Sequence, residues 1–217
     1  MKYVIFDFNG TVVDDVDVSL ECLNKCIDKY LNKPHIDLEE YLQIFTFPVK
    51  EYYEKAGFDF DVLSWEEVGQ YWMNNYIANR QRCKVHDGVK EFLIENKKRG
   101  NKNILLSASK LDNLKKQIAE LEIDEYFDEV LGIDNIYASS KIPLALNFIK
   151  NKNKDDCLMI GDTIHDLEVA NIMGVRCALV AKGHQSKDIL KKRHKEVYDN
   201  IKEVKAWELD NRKIFIS

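Results

Sequence analysis

The sequence predicts an α/β protein, a doubly wound parallel sheet with an all-helical subdomain inserted after its first strand. Three observations carry this expectation. An apolar, β-favouring run, Tyr3-Val4-Ile5-Phe6, opens the chain and leads directly into Asp7 and a Gly-Thr turn. From about residue 84 onward, strand-length apolar runs alternate with helix-length segments, the pattern of parallel strands joined by helical crossovers. Between these regions lies a block of helical periodicity in which no convincing strand is found. Residues 1–13 and 84–217 are therefore assigned to the sheet domain and 14–83 to the helical insertion.

Charge supports the same division. From Asp14 to Arg82 there are 14 acids and 7 bases, against 23 and 25 elsewhere, so the negative balance behind the net charge of -5 lies in the insertion. Neither part has the basic excess that nucleic-acid binding requires. With 217 residues, 45% hydrophobic and 32% charged, the chain is expected to be an ordinary soluble globular protein. Asp7, Asn9, Asp14 and Asp15 interrupt any signal-peptide core, and no later apolar run is long enough to span a membrane, so a cytoplasmic protein is expected. Five cysteines without C-x-x-C spacing argue against a disulfide framework or a structural zinc site.

In chain order, Val16, Leu20, Leu23, Ile27, Tyr30 and Leu31 recur at helical spacing, predicting a helix from about Asp15 to Asn32 that ends before Pro34. Shorter helices follow at Leu38 to Ile44, Pro48 to Ala56 and Ser64 to Asn79. Asp87 is expected to cap a helix ending at Gly100. Asn103 to Leu106 reads as a strand ending at Ser107, and Ser109 with Asp112 as a capping box for a helix to about Leu121. Phe127 to Leu131 is a short strand, Lys141 to Ile149 a helix, Cys157 to Ile160 a strand ending at Gly161-Asp162, and Thr163 to Met173 a helix. Val175 to Val180 is a further strand, followed by a basic helix from Lys187 to Lys195 and an apolar burst at Ile214-Phe215-Ile216.

Three of these strands end in Asp7, Ser107 and Asp162. Parallel strands present their carboxyl ends on one edge, where α/β sheets bind ligands, so residues distant in sequence can converge there. Asp162 and Asp166, four apart at a helix start, share one face beside the helix's positive end. With Asp7 they form an oxygen-rich set suited to Mg²⁺. Taken singly, Asp7 reads equally well as a turn cap, and Asp162 with Asp166 as a helix cap with a solvated neighbour.

In order along the chain stand Asp7-Phe8-Asn9-Gly10-Thr11, Leu105-Leu106-Ser107, Ser140-Lys141-Ile142-Pro143, and Gly161-Asp162 with Asp166. This succession resembles the four motifs of the haloacid dehalogenase superfamily, and the helical insertion resembles its type-1 cap, as in phosphoglycolate phosphatase and β-phosphoglucomutase relatives. The resemblance implies a Mg²⁺-dependent phosphatase acting on a small, phosphoglycolate-like phosphomonoester. It makes Asp7 the nucleophile, Ser107 and Lys141 phosphoryl-binding residues, and Asp7, the main-chain carbonyl of Asn9, Asp162 and Asp166 the metal site. Gly10, Thr11, Ala108, Lys110 and Lys141 join Ser107 as expected substrate contacts, with Lys50 gripping a second anionic group. The expected partner is a small-molecule phosphate ester, with neither nucleic acid nor membrane, and the expected assembly a monomer or weak homodimer.

One position departs from the pattern. Phosphatases of this family usually carry a second aspartate two residues after the nucleophile as general acid and base, and here it is Asn9. An amide cannot exchange a proton, which removes a contribution of about 10²- to 10⁴-fold. The departure leaves open another acid such as His165 or a cap residue, a leaving group that needs no proton, a long-lived phosphoenzyme or a catalytically weak phosphate-binding protein, and a phosphotransferase or mutase using the same intermediate stands as the alternative to a phosphatase. His184 reads as a loop residue near the same edge, and Tyr52, Tyr53, Trp65 and Trp72 as the core of the insertion.

Overall fold

The computed structural model describes residues 2–134 and 140–205. The strands of the main sheet are β1 (Tyr3–Phe6), β4 (Lys102–Lys110), β5 (Glu129–Ile133), β6 (Cys157–Gly161), β7 (Arg176–Val180) and β8 (Val197–Tyr198). They lie in the order β5-β4-β1-β6-β7-β8, and every pairing is parallel. β1 is central, which is why it is apolar on both faces. Val4 and Phe6 join Val89, Phe92 and Leu93 of α5 (Val89–Lys98) and Leu114 and Ile118 of α6 (Leu111–Glu120) on one side. Ile5 joins Phe148 of α7 (Ile142–Ile149) and Val169, Ala170 and Met173 of α8 (Ile164–Met173) on the other. The sheet is thus covered on both faces, as predicted.

Register places the edge residues. Phe6 is opposite Leu105 on β4 and Ile160 on β6, so Asp7 follows level with Leu106 and Gly161. Ser107 and Asp162 stand one residue further along the flanking strands, about 5 Å away in the pairing direction. Parallelism together with this register brings the three residues together.

The insertion consists of α1 (Val16–Tyr30), α2 (Leu38–Ile44), α3 (Val49–Lys55) and α4 (Trp65–Asn79). Asp37 and Ser64 cap α2 and α4 through their side chains. Its helices bury a cluster of their own, including Leu23, Ile27, Tyr41, Tyr52, Tyr53 and Val68. The chain leaves and re-enters the sheet region through β2 (Val13–Asp14) and β3 (Lys84–Val85), a two-stranded antiparallel ribbon that apolar periodicity is too short to reveal.

Four expectations change. β4 does not end at Ser107 but runs on to Lys110, with its register to β5 shifting after Leu106. Ser109 does not cap α6, whose N-cap is Lys110, because its hydroxyl donates to Asn9 instead. Gly88, with a φ of 85°, precedes α5 in place of Asp87, whose carboxylate pairs with Lys202. The basic helix α9 (Lys187–Arg193) ends before β8, a short edge strand that the sequence did not announce. The apolar burst at Ile214-Phe215-Ile216 lies outside the described residues.

Candidate active site

Asp7 leaves β1 with its amide bonded to the Ile160 carbonyl, and its carboxylate meets Lys141 at the start of α7. Lys141 is 2% exposed and also donates to Asp166 Oδ1 at 2.6 Å, so one ammonium bridges two carboxylates. Oxygens of Asp7, Asp162 and Asp166 lie within 4.8 Å of one another. Each acid is held separately. Asp162 accepts from Thr11 Oγ1 at 2.8 Å and from the His184 amide at 2.7 Å. Asp166 forms a capping box with Thr163. Its Oδ2 accepts from the Asp162 amide at 3.1 Å, the Thr163 amide at 2.9 Å and Thr163 Oγ1 at 2.7 Å. Three of these donors crowd Oδ2, whereas Oδ1 accepts from Lys141 and keeps a lone pair free for a cation.

Gly10 is required by this packing. It sits at φ 73°, and a Cβ there would lie 2.3 Å from Asp162 Oδ2. Neither Gly10 nor Thr11 lines the cavity beside Asp7; the Gly10 amide donates to Asp15 Oδ1 at 2.9 Å and Thr11 serves Asp162.

Sequence reasoning missed Asp15. It is 1% exposed and forms a buried hub. Asn9 Nδ2 donates to its Oδ2 at 2.6 Å, Tyr76 Oη at 2.9 Å and Ser19 Oγ at 3.3 Å, while His184 Nε2 stands 3.3 Å from Oδ1. Asn9 Nδ2 also reaches Tyr76 Oη at 3.0 Å, and Asn9 Oδ1 accepts from Ser109 at 3.0 Å. The other ring nitrogen of His184 lies 2.7 Å from Tyr41 Oη. The hub draws on β1's exit loop, α1, α2, α4 and the loop after β7, so no local spacing marks it. Paired acids at Asp14-Asp15 beside an asparagine were the available signal.

These contacts set the protonation of the site. Burial pushes the Asp7 carboxyl up, Lys141 opposes it, and Asp166 and Asp162 push it further, to about 8. Burial and Asp166 raise Asp162 to about 6 against the pull of His184. Asp166 is held below the usual carboxylate range because Lys141 and Thr163 outweigh its burial. Burial disfavours the His184 cation, yet Asp15 raises it to about 9, and His184 in return holds Asp15 low. Four acids therefore face one lysine and one histidine.

A cavity of about 150 Å³ opens beside this cluster. Asp7, Asn9, Ser107, Ala108, Lys110 and Lys141 line it from the sheet side, and Phe45, Phe47, Trp65, Trp72 and Tyr76 from the insertion. Ser107 Oγ accepts from the Ser109 amide at 3.0 Å, which leaves its hydroxyl hydrogen to donate. Lys50 is not brought here: it is exposed, 4.0 Å from Glu54 and over the Phe60 ring. His165 is stacked on Phe47 with Nδ1 3.6 Å from Glu168, and it does not line the cavity. His184 does.

The model of the haloacid dehalogenase-like hydrolases matches residues 4–180. The chain belongs to this family. Relatives similar to this chain include phosphoglycolate phosphatase 1 of Pseudomonas aeruginosa, 23% identical over 213 residues, covering 94% of this chain and 78% of the relative. A 5'-nucleotidase of the same organism is 26% identical over 196 residues, covering 87% and 86%. Among solved structures, the haloacid dehalogenase-like protein SP0104 from Streptococcus pneumoniae matches with a TM-score of 0.74 at 19% identity, covering 96% of this chain and 98% of that one. CbbY from Rhodobacter sphaeroides, solved with phosphate, matches at 0.73 and 17% identity, covering 94% and 96%. These structural likenesses bear on the fold, which is that of the haloacid dehalogenase core.

Proposed function

We propose that this haloacid dehalogenase-like hydrolase is a Mg²⁺-dependent phosphatase that cleaves a small phosphomonoester through an aspartyl-phosphate on Asp7. The observation that carries the reading is the placement of Asp7 at the centre of the sheet edge, paired with buried Lys141 and within 4.8 Å of two further carboxylates. The residues fit a hard divalent cation. Their donors are carboxylate oxygens, and burial without a cation leaves Asp7 poorly ionised at neutral pH. Asp7, Asp162 and Asp166 would hold the ion together with the Asn9 carbonyl, and Asp166 also orients Asp162 and Lys141. When bound, the cation supplies charge neutralisation for the nucleophile and the incoming phosphoryl group.

The chain's own groups do the rest. Lys141 fixes the Asp7 carboxylate and offsets negative charge as phosphorus is approached. Ser107, anchored by the Ser109 amide, donates to a phosphoryl oxygen, with the Ala108 backbone and Lys110 beside it. Residues 14–83 act as a cap that encloses the leaving group, since α4 and the segment Phe45–Phe47 supply the opposite wall. Relatives named phosphoglycolate phosphatase make phosphoglycolate a first substrate to try.

Release of inorganic phosphate from phenyl phosphate and phosphoglycolate, with Mg²⁺ and with EDTA, tests the reading. Turnover should require Mg²⁺ and disappear in Asp7→Asn. Undiminished turnover by Asp7→Asn would overturn it.

A further inference from the structure

The geometry points to a phosphomonoester of a phenol with a single ring as the substrate class, an inference that rests on the phosphatase reading above and narrows it. Three features converge. The first is the wall facing the nucleophile. Phe45, Phe47, Trp65, Trp72 and Tyr76 form it, and the Trp72 and Tyr76 rings stack 5.1 Å apart at 11°. A carboxylate-bearing substrate needs a cation on this wall. The cation from the insertion that lines it, Arg80, is held at one nitrogen by Glu120 at 2.6 Å, which partly neutralises it. Lys110 belongs to the strand that carries Ser107, on the phosphoryl side.

The second feature is size. A volume of about 150 Å³ is the scale at which an apolar protein cavity accepts one benzene ring, so the wall has room for a single ring beside the nucleophile.

The third is that, among the described residues, neither Asn9 nor His184 is free to give the leaving oxygen a proton. Both N–H bonds of Asn9 are spent, on Asp15 Oδ2 at 2.6 Å and Tyr76 Oη at 3.0 Å, and its carbonyl oxygen accepts from Ser109. His184 is engaged at both ring nitrogens by Asp15 and Tyr41. An alkoxide cannot leave readily without a proton, whereas a phenoxide, with a conjugate-acid pKa near that of tyrosine, about 10, can. In this step an Asp7 oxygen forms a bond to phosphorus as the phosphorus–oxygen bond to the ring breaks. Its electron pair departs on the phenoxide, which takes a proton from solvent. Water then attacks phosphorus, the Asp7–phosphorus pair returns to the carboxylate, and the water's proton leaves with inorganic phosphate. Tyr76 ties the features together, since the ring that begins the aromatic wall also immobilises Asn9.

Four substrates separate ring from leaving group. Phenyl phosphate has both features, 2-phenylethyl phosphate the ring alone, acetyl phosphate a good leaving group alone, and phosphoglycolate neither. With wild-type protein and Mg²⁺, phenyl phosphate should exceed 2-phenylethyl phosphate by at least ~100-fold in kcat, the usual worth of the missing acid. It should have a KM at least ~10-fold below that of acetyl phosphate. Trp72→Ala should raise KM for phenyl phosphate and leave that for acetyl phosphate unmoved, a ring-selective effect that general loosening of the fold would not give. Equal or faster turnover of phosphoglycolate or 2-phenylethyl phosphate overturns the inference and leaves the phosphatase standing. Equal KM for acetyl and phenyl phosphate overturns the ring site. Release from none of the four overturns the phosphatase reading itself.

Discussion

Replacing Asn9 by aspartate, which restores the usual family residue, should damage this protein rather than improve it. Asn9 Nδ2 lies 2.6 Å from Asp15 Oδ2, so the variant sets two carboxylates in contact. At an effective dielectric of about 20, two charges about 3 Å apart repel by about 5 kcal/mol. The cheaper route is for the new carboxyl to hold its proton, which relative to an ordinary aspartate at pH 7 costs about 4 kcal/mol. At pH 5 the same route costs about 1.5 kcal/mol. The sign follows from linkage: a carboxyl raised in the folded state destabilises it increasingly as pH climbs above the unfolded value of about 3.9. Thermal or urea unfolding of wild type and Asn9→Asp at pH 5 and 7 should show a deficit that widens by about 2.5 kcal/mol. Adding Asp15→Asn, which gives the new carboxylate a donor, should recover most of it. The double variant should also gain on 2-phenylethyl phosphate, because its acid can exchange a proton. A deficit independent of pH, or a double variant no more stable than the single, would refute the reasoning.

Other consequences are simpler to read. Lys141→Met strands Asp7 and Asp166 in a buried site, where losing one partner of a buried pair costs about 3–5 kcal/mol. Unfolding should show a loss of that order at pH 7 that shrinks toward pH 5 as the acids protonate, and phosphate release should vanish. Lys50→Ala removes an exposed side chain near Glu54, so kcat/KM should stay within about 2-fold of wild type and stability within about 0.5 kcal/mol. A larger loss in phosphate-release assays would return Lys50 to the substrate site.

The sheet, the insertion and the acid cluster were legible because each rests on a rule acting along the chain. Strand-then-helix alternation forces parallel pairing, parallel pairing aligns the strand ends, and Asp7, Ser107 and Asp162 each directly follow or end an apolar run. Lys141 became visible through the motif that it shares with a known family. The Asp15 hub was not legible, because its partners Asn9, Tyr76 and His184 come from elements whose contact depends on how the insertion packs over the sheet. Lys50, expected at the substrate site, stands exposed for a related reason. Its neighbours Phe47 and Val49 line the cavity, but helical rotation along α3 carries Lys50 to solvent. The ribbon of β2 and β3 escaped because two-residue strands carry no periodicity.

The most direct test is of the nucleophile. Wild-type protein mixed with phenyl phosphate and Mg²⁺, quenched in acid within a turnover and digested, should yield the peptide containing Asp7 heavier by one phosphoryl group. That peptide should be unmodified in Asp7→Asn and in EDTA. A phosphoryl group found on another residue, or phosphate release continuing in Asp7→Asn, would contradict the assignment of Asp7 as the attacking group.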